Sequence, residues 1–183
     1  MTDGEKRYQI LRGRLYERLP VLALALGLLD WREAEKTGTD GQLFYASVSF
    51  LGQSRENRET AERTLLHSVL HAMLGHIWER GNRAEGKWSL ACDMAAEFLA
   101  CRMLGLTLQD DAAKAFYALR KGTAFSASAV CAQLDGDFPV PRETLRALFA
   151  QDDHALWNTV QEQARLLVSG ADGAGAPALW RRQ

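Results

Sequence analysis

The stretch Thr64-Leu65-Leu66-His67-Ser68-Val69-Leu70-His71-Ala72-Met73-Leu74-Gly75-His76-Ile77-Trp78 decides how this chain is read. Leu65, Leu66, Val69, Leu70, Met73, Leu74 and Ile77 recur at threes and fours, which predicts an α-helix from Arg55 to about Arg80. Gly81-Asn82 is a natural stop for it. Each helical residue advances about 100°, so His67 and His71 share one face, one turn apart, the spacing at which two imidazoles hold one metal ion. His76 lies nine residues beyond His67 and falls on the far side of a straight helix. It can approach the pair only if the helix ends or bends near Gly75, so a supporting role is expected for it.

Working outward, a second helix is expected from about Lys87 to Leu104, ending at Gly105. It places Asp93 and Glu97 one turn apart in an otherwise apolar run. Buried carboxylates are costly unless they are paired or bind a cation, and two histidines from one helix need a further ligand from a neighbouring element. Asp93 is the best candidate for that ligand. Glu97 is either an alternative ligand or an acceptor for a histidine N–H.

The rest of the chain frames this pair of helices. Residues 4 to 18 have helical spacing at Tyr8, Ile10, Leu11, Leu15 and Tyr16, and the apolar run from Leu19 to Trp31, restarted by Pro20, reads as a buried helix. Thr39-Asp40-Gly41 is a turn, followed by the alternation of a strand or hairpin around Phe44-Tyr45. Further helical patterns cover roughly 109–120, 124–134, 142–150 and 153–168. The expected fold is mainly α with a small β-hairpin, an α+β domain over residues 1–168, and the Gly- and Ala-rich 169–183 is read as a flexible tail or linker.

Composition limits the function. Net charge is −1 with 25% charged residues, so no basic footprint points to nucleic acid or to an anionic membrane. The run from Leu19 to Trp31 is too short to span a bilayer and poorly placed for a signal peptide. Three cysteines, Cys92, Cys101 and Cys131, without a C-x-x-C pair suit a reducing cytoplasm. Cys92 and Cys101 lie on opposite sides of their helix and are expected to be small buried hydrophobes. Trp78, Trp88 and Trp157 are expected as core or interface anchors.

Three blocks, Thr39 to Leu51, Leu65 to Trp78 and Trp88 to Ala100, together resemble the metallopeptidase-like domain found at the N-terminus of bacterial proteins that also carry a von Willebrand factor A-like domain. In that family a Thr-Asp-Gly turn leads to a short strand, then a His-Glu-x-x-His helix ending in Gly-His, then a Trp-x-x-Ala-x-Asp helix. The blocks occur here in that order over about residues 38 to 105, and Asp152 to Trp157 also looks like a family element. The resemblance implies a zincin-like fold with one zinc ion on His67, His71 and Asp93. It also implies a hairpin around Phe44-Tyr45 lying beside the site as the edge strand for a peptide or protein partner, and an association with an AAA+ ATPase of the MoxR type.

Ser68 departs from this pattern at the position of the family's glutamate, the base that takes a proton from metal-bound water. Serine offers no base of useful strength near neutral pH, and general acid–base help is worth about 10² to 10⁴ in rate. The expectation is therefore a retained metal site with weak or lost hydrolysis. Two alternatives stand beside it: an active peptidase in which Glu97 substitutes as base, and a metal-free helical scaffold that binds a partner chain. His154 could approach the site from a later element, while Asp152 and Asp153 read first as capping and first-turn acids of the helix that follows.

Overall fold

The computed structural model describes residues 1–53, 58–107, 113–115, 119, 125–134 and 138–163. Helix α1 (Asp3–Arg18) opens with a capping box, in which Thr2 accepts from the Glu5 backbone and Glu5 from that of Thr2. It buries Tyr8, Leu11 and Leu15 and leaves Ile10 and Tyr16 exposed, the amphipathic pattern its sequence predicts.

The apolar run does not form the single buried helix expected of it. Pro20 starts a 3₁₀ turn (Pro20–Leu22), followed by the short helix α2 (Ala23–Leu28), and Leu29 is already extended. The chain then enters strand β1 (Asp30–Glu33). Leu22, Leu26 and Leu29 are buried, but Val21, Leu24 and Leu28 are 71–80% exposed. A continuous apolar run carries no period, so it could not reveal that only one side is covered.

Strands β2 (Gly38–Thr39) and β3 (Leu43–Ala46) form the expected hairpin. Asp40 Oδ1 accepts from the Gln42 and Leu43 amides, 2.8 Å each, and Gly41 takes φ +91° at the turn. However, β1 pairs in parallel with β3, so the order is β1-β3-β2 and the Phe44-Tyr45 strand is central rather than an edge. The edge on the histidine side is β2, which packs on the next long helix.

After α3 (Val48–Gln53), the histidine helix α4 spans Arg58–Met73 and stops short of the expected Arg80. Gly75 ends it in the left-handed region at φ +72°. Gly75 N–H then bonds Ala72 O (3.3 Å) and His76 N–H bonds His71 O (3.1 Å), the paired closure of a Schellman motif. The helix therefore does end where His76 needs it to. Helix α5 (Glu85–Leu104) closes in the same way at Gly105, φ +66°, with Leu106 N–H on Cys101 O.

Helices α6 (Ala127–Gln133) and α7 (Arg142–Phe149) follow, and residues 157–163 are helical. The helical pattern at 109–120 falls mostly outside the described residues, as do 164–168 and the tail 169–183. No helix among the described residues is long and apolar enough to cross a membrane.

Helix α5 joins the two apolar clusters. Ala96, Ala100 and Leu104 meet α1, α2 and the α4 residues Leu65, Leu66, Val69 and Leu70, whereas Trp88, Leu90, Ala91, Met94 and Ala95 meet α6, α7 and Trp157. Burying each of the four α4 side chains is worth about 1.5–3 kcal/mol. Residues 64–71 of α4 are covered on every side, so the helix can hold His67 and His71 in fixed positions.

Candidate metal centre

His67 and His71 project from adjacent turns of α4 with ring centroids 4.6 Å apart, and both are fully buried. Their Nε2 atoms point at one place. His67 Nε2 and His71 Nε2 each lie 3.5 Å from Asp93 Oδ1 on α5, and 3.8 and 3.6 Å from Asp152 Oδ1 on the segment between α7 and the helical residues 157–163. The four donor atoms all lie within 4.8 Å of one another.

These spacings fit a cation. Metal–donor bonds of about 2.0–2.2 Å at tetrahedral angles place neighbouring donors about 3.3–3.6 Å apart. His67 Nε2 and His71 Nε2 are buried with carboxylate oxygens no nearer than 3.5 Å, and Asp93 Oδ1 faces only imidazole nitrogens, an arrangement of donors that a bound ion would satisfy. The group can hold a metal ion, with two imidazoles and two carboxylates as ligands.

The surrounding groups orient the ligands. Glu97 Oε2 is 3.1 Å from His67 Nδ1, on the ring edge opposite the donor, and Glu97 also takes hydrogen bonds from Arg63 and from Cys101 Sγ. This is the carboxylate–histidine pairing that fixes a ligand's tautomer and raises its basicity. Of the two roles open to Glu97, the geometry selects this one; its carboxylate does not face the four-donor centre where a substitute base would act. Behind His71, Nδ1 meets His76 Nδ1 at 2.9 Å, which sets His76 on the ring edge of His71 that faces away from the donor cluster. Trp88 Nε1–H donates to the His76 carbonyl and holds the turn in place.

Asp152 is a correction to the capping expectation. Asp153 Oδ1 accepts from Ala155 N–H at 2.6 Å, an Asx turn ahead of the helical residues 157–163, but the Asp152 carboxylate turns inward and is wholly shielded, although the residue as a whole is partly exposed. Ser68 Oγ–H donates to Asp152 Oδ2 at 2.7 Å. Ser68 thus holds a carboxylate brought in from 84 positions away. His154 also reaches the site, its Nε2 3.1 Å from both Asp93 Oδ1 and Asp152 Oδ1, with its ring stacked 3.6 Å from that of Trp157. Asp152 begins the block from Asp152 to Trp157 singled out in the sequence, but an acid just before a helix fits a cap equally well, so its role as a donor did not follow.

Charge is shared unevenly across the cluster. Burial lowers His71 to about 4 and His76 to about 3, so both are neutral near pH 7, as a ligand imidazole must be. Burial also works against charge on His67 and His154, but hydrogen bonds and the fields of Asp93, Asp152 and Glu97 outweigh it, raising His67 to about 9 and His154 to about 10. Burial opposes ionisation of Asp93 and Asp152 too, yet the neighbouring imidazoles hold both below the usual carboxylate range. Buried negative charge here is balanced by protons wherever no cation is bound.

The remaining candidates fall outside the centre. Cys92, Cys101 and Cys131 are buried and in no disulfide, and burial raises the Cys92 and Cys101 thiols well above neutrality; Cys92 and Cys131 pack as small hydrophobes, whereas Cys101 also donates to Glu97. Trp88 and Trp157 are buried anchors, while Trp78 is 47% exposed beside Gly41. Comparison with family models, with characterised proteins and with solved structures finds no match to this chain.

Proposed function

We propose that this chain is a zinc-binding, metallopeptidase-like domain of zincin-like fold whose hydrolytic power is weak or absent. The observation that carries the reading is the convergence of three buried donor atoms, His67 Nε2, His71 Nε2 and Asp93 Oδ1, at spacings suited to one ion. Zinc fits a compact set of two imidazoles and two carboxylates without demanding the octahedral shell of magnesium. In a peptidase the ion would polarise a carbonyl and acidify a water. Here Ser68 offers no base, its hydroxyl is engaged by Asp152, and Glu97 serves the far side of His67. Four protein ligands also suit a closed, structural sphere better than an open, catalytic one.

Metal analysis after gentle purification tests this. About one equivalent of zinc is expected in wild type and under about a tenth in His67→Ala; wild type at the lower figure would overturn the claim.

A second reading, a scaffold that works with an AAA+ ATPase and a von Willebrand-like module, draws support from Val21, Leu24 and Leu28, which α2 and the turn before it leave exposed. Co-purification of such an ATPase with wild type and with a His67/His71 double-alanine variant alike, and its loss in Leu24→Lys, would favour it.

A further inference from the structure

His154 comes to the donor cluster from its carboxylate side. Its Nε2 lies 3.1 Å from Asp93 Oδ1 and 3.1 Å from Asp152 Oδ1, the same two oxygens that His67 Nε2 and His71 Nε2 face at 3.5 to 3.8 Å. It stands outside the four mutually close atoms and caps the edge between their two oxygens. The ring is held in that place. It stacks on Trp157 at 3.6 Å and 14° and meets His71 edge-on at 4.8 Å, and Trp157 is itself anchored by its Nε1–H on Thr39 O.

The choice of oxygens separates a ligand from a support. A group that only orients a ligating carboxylate pairs with the oxygen that the ion leaves over, as Ser68 does at Asp152 Oδ2. His154 instead meets the two oxygens that face the other imidazoles, one on each carboxylate. A single N–H serves one acceptor well, and Asp152 Oδ1 is in line to take it, whereas a lone pair directed at an ion between the oxygens accounts for both contacts. The spacing agrees. Bonds of about 2.1–2.2 Å at a right angle set neighbouring donors about 3.0–3.1 Å apart, and the wider angles of a five-coordinate shell take the pairs at 3.5 to 3.8 Å.

We propose that His154 is a fifth metal ligand, binding through Nε2 across the edge from Asp93 Oδ1 to Asp152 Oδ1. The inference rests on the metal reading above. It adds that the shell holds three imidazoles and two carboxylates, so the position a catalytic ion keeps for water is filled by the protein.

The test loads full-length wild type, His154→Ala and His154→Gln with cobalt(II) and follows the visible bands while imidazole is added. At 11% exposure His154 is the least covered of the five donors, so its truncation leaves a gap that opens to solvent and that free imidazole can enter. Wild type should show the weak bands of a five-coordinate ion, unaltered by imidazole. His154→Ala should lose those bands and bind cobalt at least about tenfold more weakly, and imidazole should restore the wild-type spectrum. Glutamine can still donate to a carboxylate but is a poor metal ligand, so His154→Gln should lose the bands as well. If His154→Gln keeps them, His154 is a hydrogen-bonding support and the inference is overturned. It is overturned equally if wild type shows the intense bands of a four-coordinate ion, or if His154→Ala takes up cobalt and ignores imidazole. If wild type takes up no cobalt, the metal reading itself falls and the inference with it. His154→Gln, close in size to histidine, keeps the test decisive if His154→Ala does not fold.

Discussion

Replacing Glu97 by glutamine separates a ligand-supporting carboxylate from a merely space-filling one, because the two side chains have nearly the same shape. Glu97 has no exposed side-chain surface and accepts from three donors: His67 Nδ1, Arg63 and Cys101 Sγ. Burial disfavours its ionised form, but His67, Cys101 and Arg63 together keep its pKa below the ordinary value, so the substitution removes a real charge at neutral pH. A glutamine amide cannot meet the same demands. With its oxygen toward Arg63, its NH₂ faces His67 Nδ1 and forces that ring to carry its proton on Nε2, the metal-binding atom. With its oxygen toward His67, the NH₂ opposes the guanidinium, donor against donor. Losing such a supporting carboxylate typically costs 10–100-fold in metal affinity, or about 1.4–2.8 kcal/mol. The metal-free protein should also lose about 2 kcal/mol, toward the low end for a buried pair because Arg63 is 30% exposed. Competition against a zinc-chelating dye measures the first quantity and urea unfolding of the metal-free protein the second. Affinity within twofold of wild type would refute the assigned role of Glu97, whatever happened to stability.

Other perturbations probe other parts of the argument. Gly75→Ala forces an L-residue to φ +72° and should lower stability by about 1–2 kcal/mol in urea unfolding, chiefly from the backbone, since the added Cβ meets only the flexible Glu79 side chain. An unchanged midpoint would mean that the end of α4 is not held as described. Tyr8, whose hydroxyl donates to Leu29 O, is raised to about 12, first by burial. Its folded pKa exceeds the unfolded value near 10, so its contribution is fully present below about pH 10 and is lost as pH rises toward 12. The stability difference between wild type and Tyr8→Phe should shrink across that window. Ser68→Glu sets a second carboxylate against Asp152 Oδ2 and should lower both metal content and melting temperature. The double variant Ser68→Glu/Asp152→Ala sets a carboxylate beside the three remaining donors and should show more metal-dependent casein cleavage than wild type; wild-type-like zinc content in the single variant would count against the pairing. Because His67 is raised to about 9 and His154 to about 10 when no metal is bound, binding near pH 7 must expel protons, so affinity should rise with pH up to about 9–10, as calorimetry in buffers of different ionisation heat can check.

What could be read from the residues follows the range of the physics involved. The 3.6-residue period marked the helices that became α1, α4 and α5, and the i, i+4 pairs His67/His71 and Asp93/Glu97 were visible because one turn of helix fixes their relation. The reversal that brings His76 back to His71 was conditional on Gly75, and the left-handed glycine supplies it. Strand β1 stayed hidden, since Asp30-Trp31-Arg32-Glu33 is four residues with three charged side chains and shows no apolar alternation, and with it went the position of β3 at the centre of the sheet. Asp152 was illegible for a different reason. Its place in the cluster is set by the packing of Trp157 and the strand bridge at Gly38, contacts that span more than a hundred residues and leave no local pattern.

Charge balance links the serine to that distant aspartate. The cluster contains three carboxylates, Asp93, Asp152 and Glu97, against one permanent cation, Arg63. Protons on His67 and His154 bring the sum to neutrality, and so does one divalent ion that displaces them. A glutamate at position 68 would add a fourth buried carboxylate within hydrogen-bonding reach of Asp152, leaving a net negative charge that neither state compensates. Serine removes that excess and gives Asp152 Oδ2 a donor. Ser68 and Asp152 are therefore one structural choice made at two places in the chain: the hydroxyl gives the buried carboxylate a donor for Oδ2, and that carboxylate sets Oδ1 at the fourth corner of the donor cluster.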